Sequence, residues 1–354
     1  MEKPILAAIL SCSETKLTDS EKYLFSKYNP LGVSLFSCNM KTFEQTQKLV
    51  SEIKEVIGRE DVLIGIDQEG GRVSRLNNIV NYKYASEATL GEVPEIYTTY
   101  HAQLISADIR HLGINVNFAP VLDVAEKNQS KVLEKRCFST DKKRVVSYGK
   151  AMADSYIENA ICPCIKHIPG HFSAKEDPHL ELATINLKQK HIEDYITYLQ
   201  AFKKYPLAMT SHIFMPKVDA QYPATQSKII ISEIIRKYLS FDGFLLSDAI
   251  EMNALKGTIS EKVNTSLDAG IDAVLCCSGK YSDLETVCRQ ERILTEKSLI
   301  RFAKIKKVFH NIPKHIDIEN IRGQYEAELK DKLHEKYSYD ATEILKQMHK
   351  KGEN

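Results

Sequence analysis

The chain has 354 residues, 43% of them apolar, so it can bury a sizeable core in one large domain or two smaller ones. Its 48 basic and 47 acidic residues leave a net charge of +1, which gives no indication of a nucleic-acid or anionic membrane partner. No run approaches the roughly 20 apolar residues of a membrane span, and the apolar run Ile5–Leu10 is too short for a secretory signal. We therefore expect no nucleic-acid partner and no membrane partner.

The eight cysteines indicate a reducing compartment. Most of them lie in apolar, strand-like runs, and the chain has no Cys-x-x-Cys pair of the kind that zinc ribbons use. We expect reduced, mostly buried thiols and a cytoplasmic location.

Short apolar, β-branched runs recur along the chain and predict eight strands. These runs are Ile5–Leu10, Gly32–Phe36, Val62–Ile66, Ile114–Ala119, Ile161–Ile165, Leu207–Thr210, Gly243–Leu246 and Ile271–Cys276. Most are continuously apolar rather than alternating, which is typical of parallel strands covered by helices. The segments between them have helical periodicity, as in Thr42–Ile57, Ile96–His111, Lys142–Asn159, His191–Lys203 and Ser232–Leu239.

Eight strand–helix units predict an α/β fold, a (β/α)8 TIM-type barrel. A doubly wound open sheet is the alternative, but it usually has fewer strands and a G-x-G-x-x-G turn, which is absent here. After Cys277 the chain becomes charged, and Thr295–His310 and Tyr325–Lys351 predict helices with a turn at Arg322-Gly323. We divide the chain into a single-domain barrel, residues 1–312, and a charged C-terminal helical extension, residues 313–354, expected to be a surface appendage.

Polar side chains follow five of the predicted strands, at the end where TIM barrels carry their functional groups. They are Asp67 to Arg75 after the third strand, Asn117 and Asp123 at the fourth, Lys166-His167 after the fifth, Ser211-His212 after the sixth and Ser247-Asp248 after the seventh. A cap or turn role explains any one of them, but five at matching positions indicate a functional site.

The loop after the fifth strand has the highest density of titratable groups. Within fourteen residues it holds Lys166, His167, His171, Asp177 and His179. A carboxylate beside an imidazole fixes its tautomer and supports the cation formed in proton transfer, as Asp177 can do for His179. A carboxylate such as Asp248 can attack the anomeric carbon of a sugar when a second group protonates the departing oxygen.

The same loop leaves a metallohydrolase open as an alternative. His167, His171 and His179, with Asp177, are residue types that hold zinc. The His-x-x-x-His spacing straddles Pro169-Gly170, which breaks a helix, so we predict no metal and no cofactor.

Five segments in order carry a family resemblance. They read Gly-Ile-Asp67-Gln-Glu-Gly-Gly-Arg-Val-Ser-Arg75, Leu-Gly-Ile-Asn-Val-Asn-Phe-Ala-Pro-Val-Leu-Asp123, Lys166-His-Ile-Pro-Gly-His171…Asp177-Pro-His179, Met-Thr-Ser-His212…Pro-Ala-Thr225 and Phe-Asp-Gly-Phe-Leu-Leu-Ser-Asp248. Through them the chain resembles the β-N-acetylglucosaminidase branch of glycoside hydrolase family 3, from about Gly32 to Ala273. The histidine-containing loop marks this branch rather than the β-glucosidase branch.

The resemblance implies a retaining β-N-acetylglucosaminidase that is cytoplasmic in Gram-negative bacteria and acts in cell-wall recycling. Its substrate would be a small sugar, GlcNAc-1,6-anhydro-MurNAc or its peptides, and we expect a monomer or weak dimer. By the same resemblance Asp248 is the nucleophile and His179 the acid/base, with Asp177 as its carboxylate partner. The implied substrate contacts are Asp67, Arg75, Arg136, Lys166 and His167.

Three departures from the family pattern bear on rate and substrate range. The usual Gly-Asp-Thr after the loop histidine is Phe172-Ser173-Ala174, Pro178 replaces a serine, and Ala249 replaces a second aspartate after the nucleophile. We expect Phe172 to stiffen or re-aim the loop and Ala249 to change the charge near Asp248. A β-N-acetylglucosaminide phosphorylase and a muropeptide-binding protein with weak or lost turnover remain alternatives.

Overall fold

The structure, a computed structural model, describes residues 3–127, 129–177, 180–313 and 316–333. Its strands are β1 (Leu6–Ser11), β2 (Pro30–Leu35), β3 (Leu63–Ile66), β4 (Val116–Asn117), β5 (Cys162–Ile168), β6 (Ala183–Thr184), β7 (Leu207–Thr210), β8 (Ile213–Phe214), β9 (Phe244–Ala249) and β10 (Ala273–Leu275). All except β6 and β8 form one closed parallel barrel in the order β1-β10-β9-β7-β5-β4-β3-β2, and β6 pairs with β8 beside it. The predicted TIM-type barrel is confirmed, and closure between β1 and β10 contradicts the open-sheet alternative.

Burial on both faces explains why the strands read as continuous apolar runs. Neighbouring residues of a strand point to opposite faces. In β3, Leu63 belongs to the apolar cluster inside the barrel, whereas Ile64 belongs to the cluster between the strands and the surrounding helices. Each fully buried side chain of this size contributes roughly 1.5–3 kcal/mol relative to exposure.

Ten α-helices surround the barrel in the described part of the chain. They are α1 (Asp19–Tyr28), α2 (Phe43–Ile57), α3 (Glu87–Leu90), α4 (Ile96–His111), α5 (Lys142–Glu158), α6 (Gln189–Ile196), α7 (Ile259–Ala269), α8 (Tyr281–Cys288), α9 (Glu296–Phe309) and α10 (Ile318–Leu329). The region predicted as one helix over 191–203 divides into α6 and a 3-10 segment, Thr197–Phe202, and the helix predicted at 232–239 lies in a π-helix, Ile230–Tyr238. The other predicted helices from 42 to 159 agree with α2, α4 and α5 to within a residue or two.

The predicted turn at Arg322-Gly323 is wrong, because both residues lie inside α10. The Asp317 side chain caps this helix by accepting the backbone N–H of Asn320 at 3.0 Å, so it begins earlier than the predicted 325. An internal glycine costs about 1 kcal/mol relative to alanine, and the buried face of α10 outweighs that cost. The predicted helix beyond 333 lies outside the described residues, and the division at 312 stays a prediction.

All eight cysteines are free thiols, and six of them are buried, as the sequence predicted. Across the described segments, no helix is both long and apolar enough to cross a membrane.

Candidate active site

The predicted site residues lie at the carboxyl-terminal ends of neighbouring barrel strands. Asp67 follows β3, Lys166 and His167 belong to the end of β5, and Asp248 is the penultimate residue of β9. Because the barrel is parallel, these strand ends open at one mouth.

An ion-pair network joins three predicted site residues, Asp67, Arg136 and Lys166, through the carboxylate of Glu69. The Lys166 Nζ donates to Asp67 Oδ1 at 2.7 Å and contacts Glu69 Oε1 at 2.7 Å. Arg136 holds the same Glu69 carboxylate with two hydrogen bonds, 2.8 Å from Nε to Oε2 and 2.7 Å from the terminal nitrogen to Oε1. The Lys166 and Glu69 side chains are each only 2% exposed, whereas Asp67 retains 20% exposure. Asp67 is therefore the most exposed side chain of the network.

Charge complementarity explains the ionisation of this network. Burial alone would raise the pKa of Glu69, but the charges of Arg136 and Lys166 hold that pKa well below its ordinary value. Burial alone would lower the pKa of Lys166, but Asp67 and Glu69 raise it. Burial, together with the charge of Glu69, raises the pKa of Glu87 well above its usual range, which disfavours a second negative charge beside the network.

Arg75 extends the network toward the opening. Its guanidinium lies 3.7 Å from Asp67 Oδ2 and 5.4 Å from the centre of the Phe36 ring. Among the described residues, its buried Nε has no hydrogen-bond acceptor. Leaving this buried donor unsatisfied is costly.

His167 and His171 are both anchored on Asp123. The Nδ1 atoms of His167 and His171 lie 2.8 and 3.3 Å from the two Asp123 oxygens, and the same carboxylate accepts both backbone N–H groups. Burial and the neighbouring His171 lower the pKa of His167 to about 4, so its ring is neutral at pH 7. With Nδ1–H donating to Asp123, the Nε2 of His167 is left as a hydrogen-bond acceptor.

The same three residues form the one group of potential metal ligands within the described segments. Their ligand atoms lie within 4.8 Å of one another, and the group is Asp123, His167 and His171. It shares only the two histidines with the set predicted for a metallohydrolase. Each Nδ1 already faces a carboxylate oxygen, so the geometry fits a hydrogen-bonded anchor for the end of β5.

Asp248 is half-buried on β9, and its Oδ1 accepts the backbone N–H of Ala249 at 2.8 Å. His212 supports the same strand end, since its Nε2 lies 3.0 Å from the Ala249 carbonyl oxygen and its Nδ1 2.7 Å from Thr225 Oγ1. Burial raises the pKa of the Cys277 thiol, and the charges of Asp67 and Asp248 are among those that raise it further. Asp67 and Asp248 lie at the same end of the barrel, because each stands at the carboxyl-terminal end of a strand in one closed parallel sheet.

The predicted dyad is described only in part. Asp177 is half-buried, and its backbone carbonyl accepts the N–H groups of Leu180 and Glu181, both at 2.9 Å, in a turn. His179 lies outside the described residues, as does Pro178. The predicted roles of His179 as the acid/base and of Asp177 as its carboxylate partner therefore stay predictions.

Phe172 secures the first half of the loop. The residue has a left-handed backbone with φ 53°, and its side chain is 4% exposed. Its ring centre lies 4.9 Å from that of Tyr195, whose hydroxyl donates to Glu126 at 2.7 Å and whose ring carries Lys142 Nζ 3.9 Å above it. Packing of the ring compensates for the cost of a left-handed non-glycine residue.

Sequence reasoning gave no role to three site residues. Glu69 and Asp123 are central to the polar network, and both stand inside motifs that were already singled out. Glu251 belongs to none of the motifs, and only the turn after β9 brings its side chain to this place. Its Oε1 accepts the Cys277 backbone N–H at 2.9 Å, while its buried Oε2 has no hydrogen-bond partner in the described part of the molecule.

We expect Glu251→Gln to stabilise the protein at neutral and alkaline pH but not in acid. Burial, and to a lesser degree Asp248, raises the pKa of Glu251 to about 7 from an ordinary 4.5. Stability that the neutral carboxyl contributes is fully present below 4.5 and is lost as the pH rises through 7. Thermal melts at pH 4 and pH 8.5 should show the variant equal to the wild type at pH 4, and more stable by about 1–3 kcal/mol at pH 8.5.

The matched control is Glu233→Gln, an exposed carboxylate paired with Lys237 on the same helix. It should change the melting temperature little at either pH. An equal difference between Glu251→Gln and the wild type at both pH values would contradict the assigned ionisation.

Comparison with known proteins places these features in a family. A family model, the glycosyl hydrolase family 3 N-terminal domain, matches residues 6–308. The chain is 27% identical over 323 residues to a β-hexosaminidase from Idiomarina loihiensis, covering 84% of this chain and 96% of that protein. It is 32% identical over 275 residues to a β-hexosaminidase from Bordetella avium, covering 74% of this chain and 78% of that protein.

A solved structure shares the fold. NagZ from Neisseria gonorrhoeae, solved in complex with N-trifluoroacetyl-D-glucosamine, superposes with a TM-score of 0.77 at 23% identity, over 92% of this chain and 96% of that one. The chain belongs to glycosyl hydrolase family 3, and the resemblance drawn from its motifs is confirmed. Within that family it is a glycoside hydrolase of the β-hexosaminidase group, the β-N-acetylhexosaminidases.

Proposed function

We propose that this protein is a retaining exo-β-N-acetylglucosaminidase that removes terminal β-GlcNAc from GlcNAc-1,6-anhydro-MurNAc and its peptides. The observation that carries the proposal is that the Asp67–Lys166 ion pair and the Asp248 carboxylate lie at the same end of one closed parallel barrel. Free thiols are typical of cytoplasmic proteins, and we place the enzyme in the cytoplasm, where fragments of the cell wall are recycled.

Binding and cleavage divide between the two sides of the mouth. On one side, Asp67 accepts hydrogen bonds from sugar hydroxyls, Lys166 and Arg75 donate to them, and the neutral His167 accepts one at Nε2. On the other side, Asp248 attacks the anomeric carbon. The glycosidic C–O bond breaks as the bond to Asp248 forms, and the leaving oxygen takes the proton of His179.

The second half of the reaction returns both groups to their starting state. His179, now neutral, takes a proton from water, and the oxygen of that water attacks the anomeric carbon. The bond to Asp248 breaks and the carboxylate is released. Two inversions at the same carbon give net retention, and the carboxylate of Asp177 supports the imidazolium of His179.

The decisive experiment is product analysis after incubation with anhydro-muropeptides and with a chromogenic β-N-acetylglucosaminide. We expect free GlcNAc, first released as the β-anomer by NMR, with little cleavage of the matching β-glucoside. Comparable cleavage of the β-glucoside would contradict the assigned branch. Rates with and without phosphate distinguish hydrolysis from phosphorolysis, and tight binding without cleavage would indicate a muropeptide-binding protein.

His179→Ala tests the proposed acid directly. A poor leaving group needs protonation, whereas an activated aryl leaving group does not. The variant should therefore lose at least about 100-fold in rate on the disaccharide and much less on the activated glycoside. Equal losses on both substrates would argue against an acid role.

A further inference from the structure

Helix α10 lies beyond the residues that the family model matches, yet it packs on α4 with a buried polar contact. Tyr325 of α10 and His101 of α4 are 1% and 0% exposed. The Tyr325 hydroxyl lies 2.8 Å from His101 Nδ1 and accepts the backbone N–H of Ala85 at 2.9 Å. The other ring nitrogen of His101, Nε2, lies 3.0 Å from the backbone carbonyl oxygen of Glu69.

The hydrogen-bond partners determine which atom donates and which accepts in each of these hydrogen bonds. The Glu69 carbonyl can only accept, so His101 donates from Nε2 and its Nδ1 is an acceptor. Burial lowers the pKa of His101 to about 4, which keeps the ring in this neutral form. The Tyr325 hydroxyl therefore donates to Nδ1 while its oxygen accepts from Ala85. The Ala85 N–H, both ring nitrogens of His101 and the Glu69 carbonyl therefore each have a hydrogen-bond partner, which is Tyr325, His101 or Glu69.

The backbone around Glu69 has no room to move toward these partners. Gly70 has φ +105°, and a Cβ at this position would lie 2.1 Å from the Ala85 carbonyl oxygen and 2.9 Å from His101 Cε1. The next residue, Gly71, donates its backbone N–H to the Tyr84 carbonyl at 2.8 Å. Tyr325 and His101 therefore fix the segment that follows β3 on its outer side.

The inner side of the same segment carries the Glu69 carboxylate, which contacts Arg136 and Lys166, and Lys166 contacts Asp67. We propose that Tyr325 is a positioning residue for sugar binding. Through His101 it holds the Glu69 peptide, and Glu69 in turn holds Lys166 and Asp67 where a sugar hydroxyl meets them. This inference rests on the proposed function, because it assigns Asp67 and Lys166 to the bound sugar.

Tyr325→Phe tests the inference because it keeps the ring and removes only the hydroxyl. We expect the KM for a chromogenic β-N-acetylglucosaminide to rise ~3- to 10-fold, while kcat stays within about twofold, since Asp248 on β9 is untouched. His101→Leu breaks the chain at its other partner and should raise KM in the same way. Either variant decides the question if the other fails to fold.

Two controls separate positioning from general stability. Tyr100→Phe removes a hydroxyl that meets Gln324 at 3.2 Å on the same pair of helices, and Arg322→Met removes a cation 3.5 Å above the Tyr82 ring. Both should keep the wild-type KM whatever their melting temperatures. A wild-type KM in Tyr325→Phe, or an equal KM rise in Arg322→Met, would overturn the inference. A wild-type enzyme that does not cleave the substrate would instead contradict the proposed function.

Discussion

Asp248→Asn is expected to lower kcat on a chromogenic β-N-acetylglucosaminide by at least about 10³-fold, which corresponds to about 4 kcal/mol of activation free energy. The amide has nearly the shape of the carboxylate, but it is neutral and does not form the glycosyl ester. Because the proposed sugar contacts Asp67 and Arg75 follow β3, on a different strand from Asp248, substrate binding should persist. Steady-state kinetics and calorimetric binding of GlcNAc measure the two effects separately.

The smaller variant Asp248→Ala leaves space for an added nucleophile. With azide it should regain part of its turnover and give the α-glycosyl azide, because a single inversion at the anomeric carbon then remains. Asp242→Asn is the matched control, since Asp242 precedes the same strand at its other end and pairs there with Lys304 at 2.9 Å. Similar losses in Asp242→Asn and Asp248→Asn would rule out a specific role for Asp248.

Glu69→Gln should both destabilise the protein and weaken catalysis. The substitution keeps the shape of the side chain but leaves Arg136 and Lys166 buried with less negative charge, and breaking a buried ion pair costs about 3–5 kcal/mol. Lys166 then has a single charged partner, Asp67, so kcat/KM should fall at least about tenfold with the sugar contacts misplaced. Urea unfolding and steady-state kinetics at pH 7 measure both losses.

The pH dependence of this variant has a defined sign. The pKa of Glu69 is held below its ordinary 4.5, so its stabilising charge is fully present above 4.5 and is lost as the pH falls toward the folded-state pKa. The stability difference between the wild type and Glu69→Gln should therefore shrink in acid. Glu285→Gln breaks an exposed pair with Arg289 and should cost at most about 0.5 kcal/mol. A Glu69→Gln variant as stable as this control would contradict the buried network.

The barrel could be predicted from the sequence because its signal is repeated and local. Each strand is apolar on both faces, as Leu63 and Ile64 illustrate, so eight separate runs give the same indication. The end of α2 was also readable, since Gly58 follows it with φ 77° and accommodates the left-handed cap. The turn wrongly placed at Arg322-Gly323 shows the limit, because a glycine signal was outweighed by the buried face of α10.

The site was predictable as a set of positions but not as a set of contacts. Asp67, Lys166 and Asp248 follow strands, and the parallel topology brings them to one end. The contact between Arg136 and Glu69 spans 67 residues, and that between Tyr325 and His101 spans 224. Nothing local in the chain encodes such partners, so a motif can mark Glu69 without revealing what it binds.

The ring of Phe172 makes the loop after β5 depend on two helices, α5 and α6, for its packing. It rests on Tyr195 of α6, and Tyr195 lies beneath Lys142, the first residue of α5. A loop transplanted from a relative with glycine at this position would leave an aromatic-sized void above Tyr195. Exchange of this loop among homologues, in evolution or in engineering, therefore has to carry compensating changes on both helices.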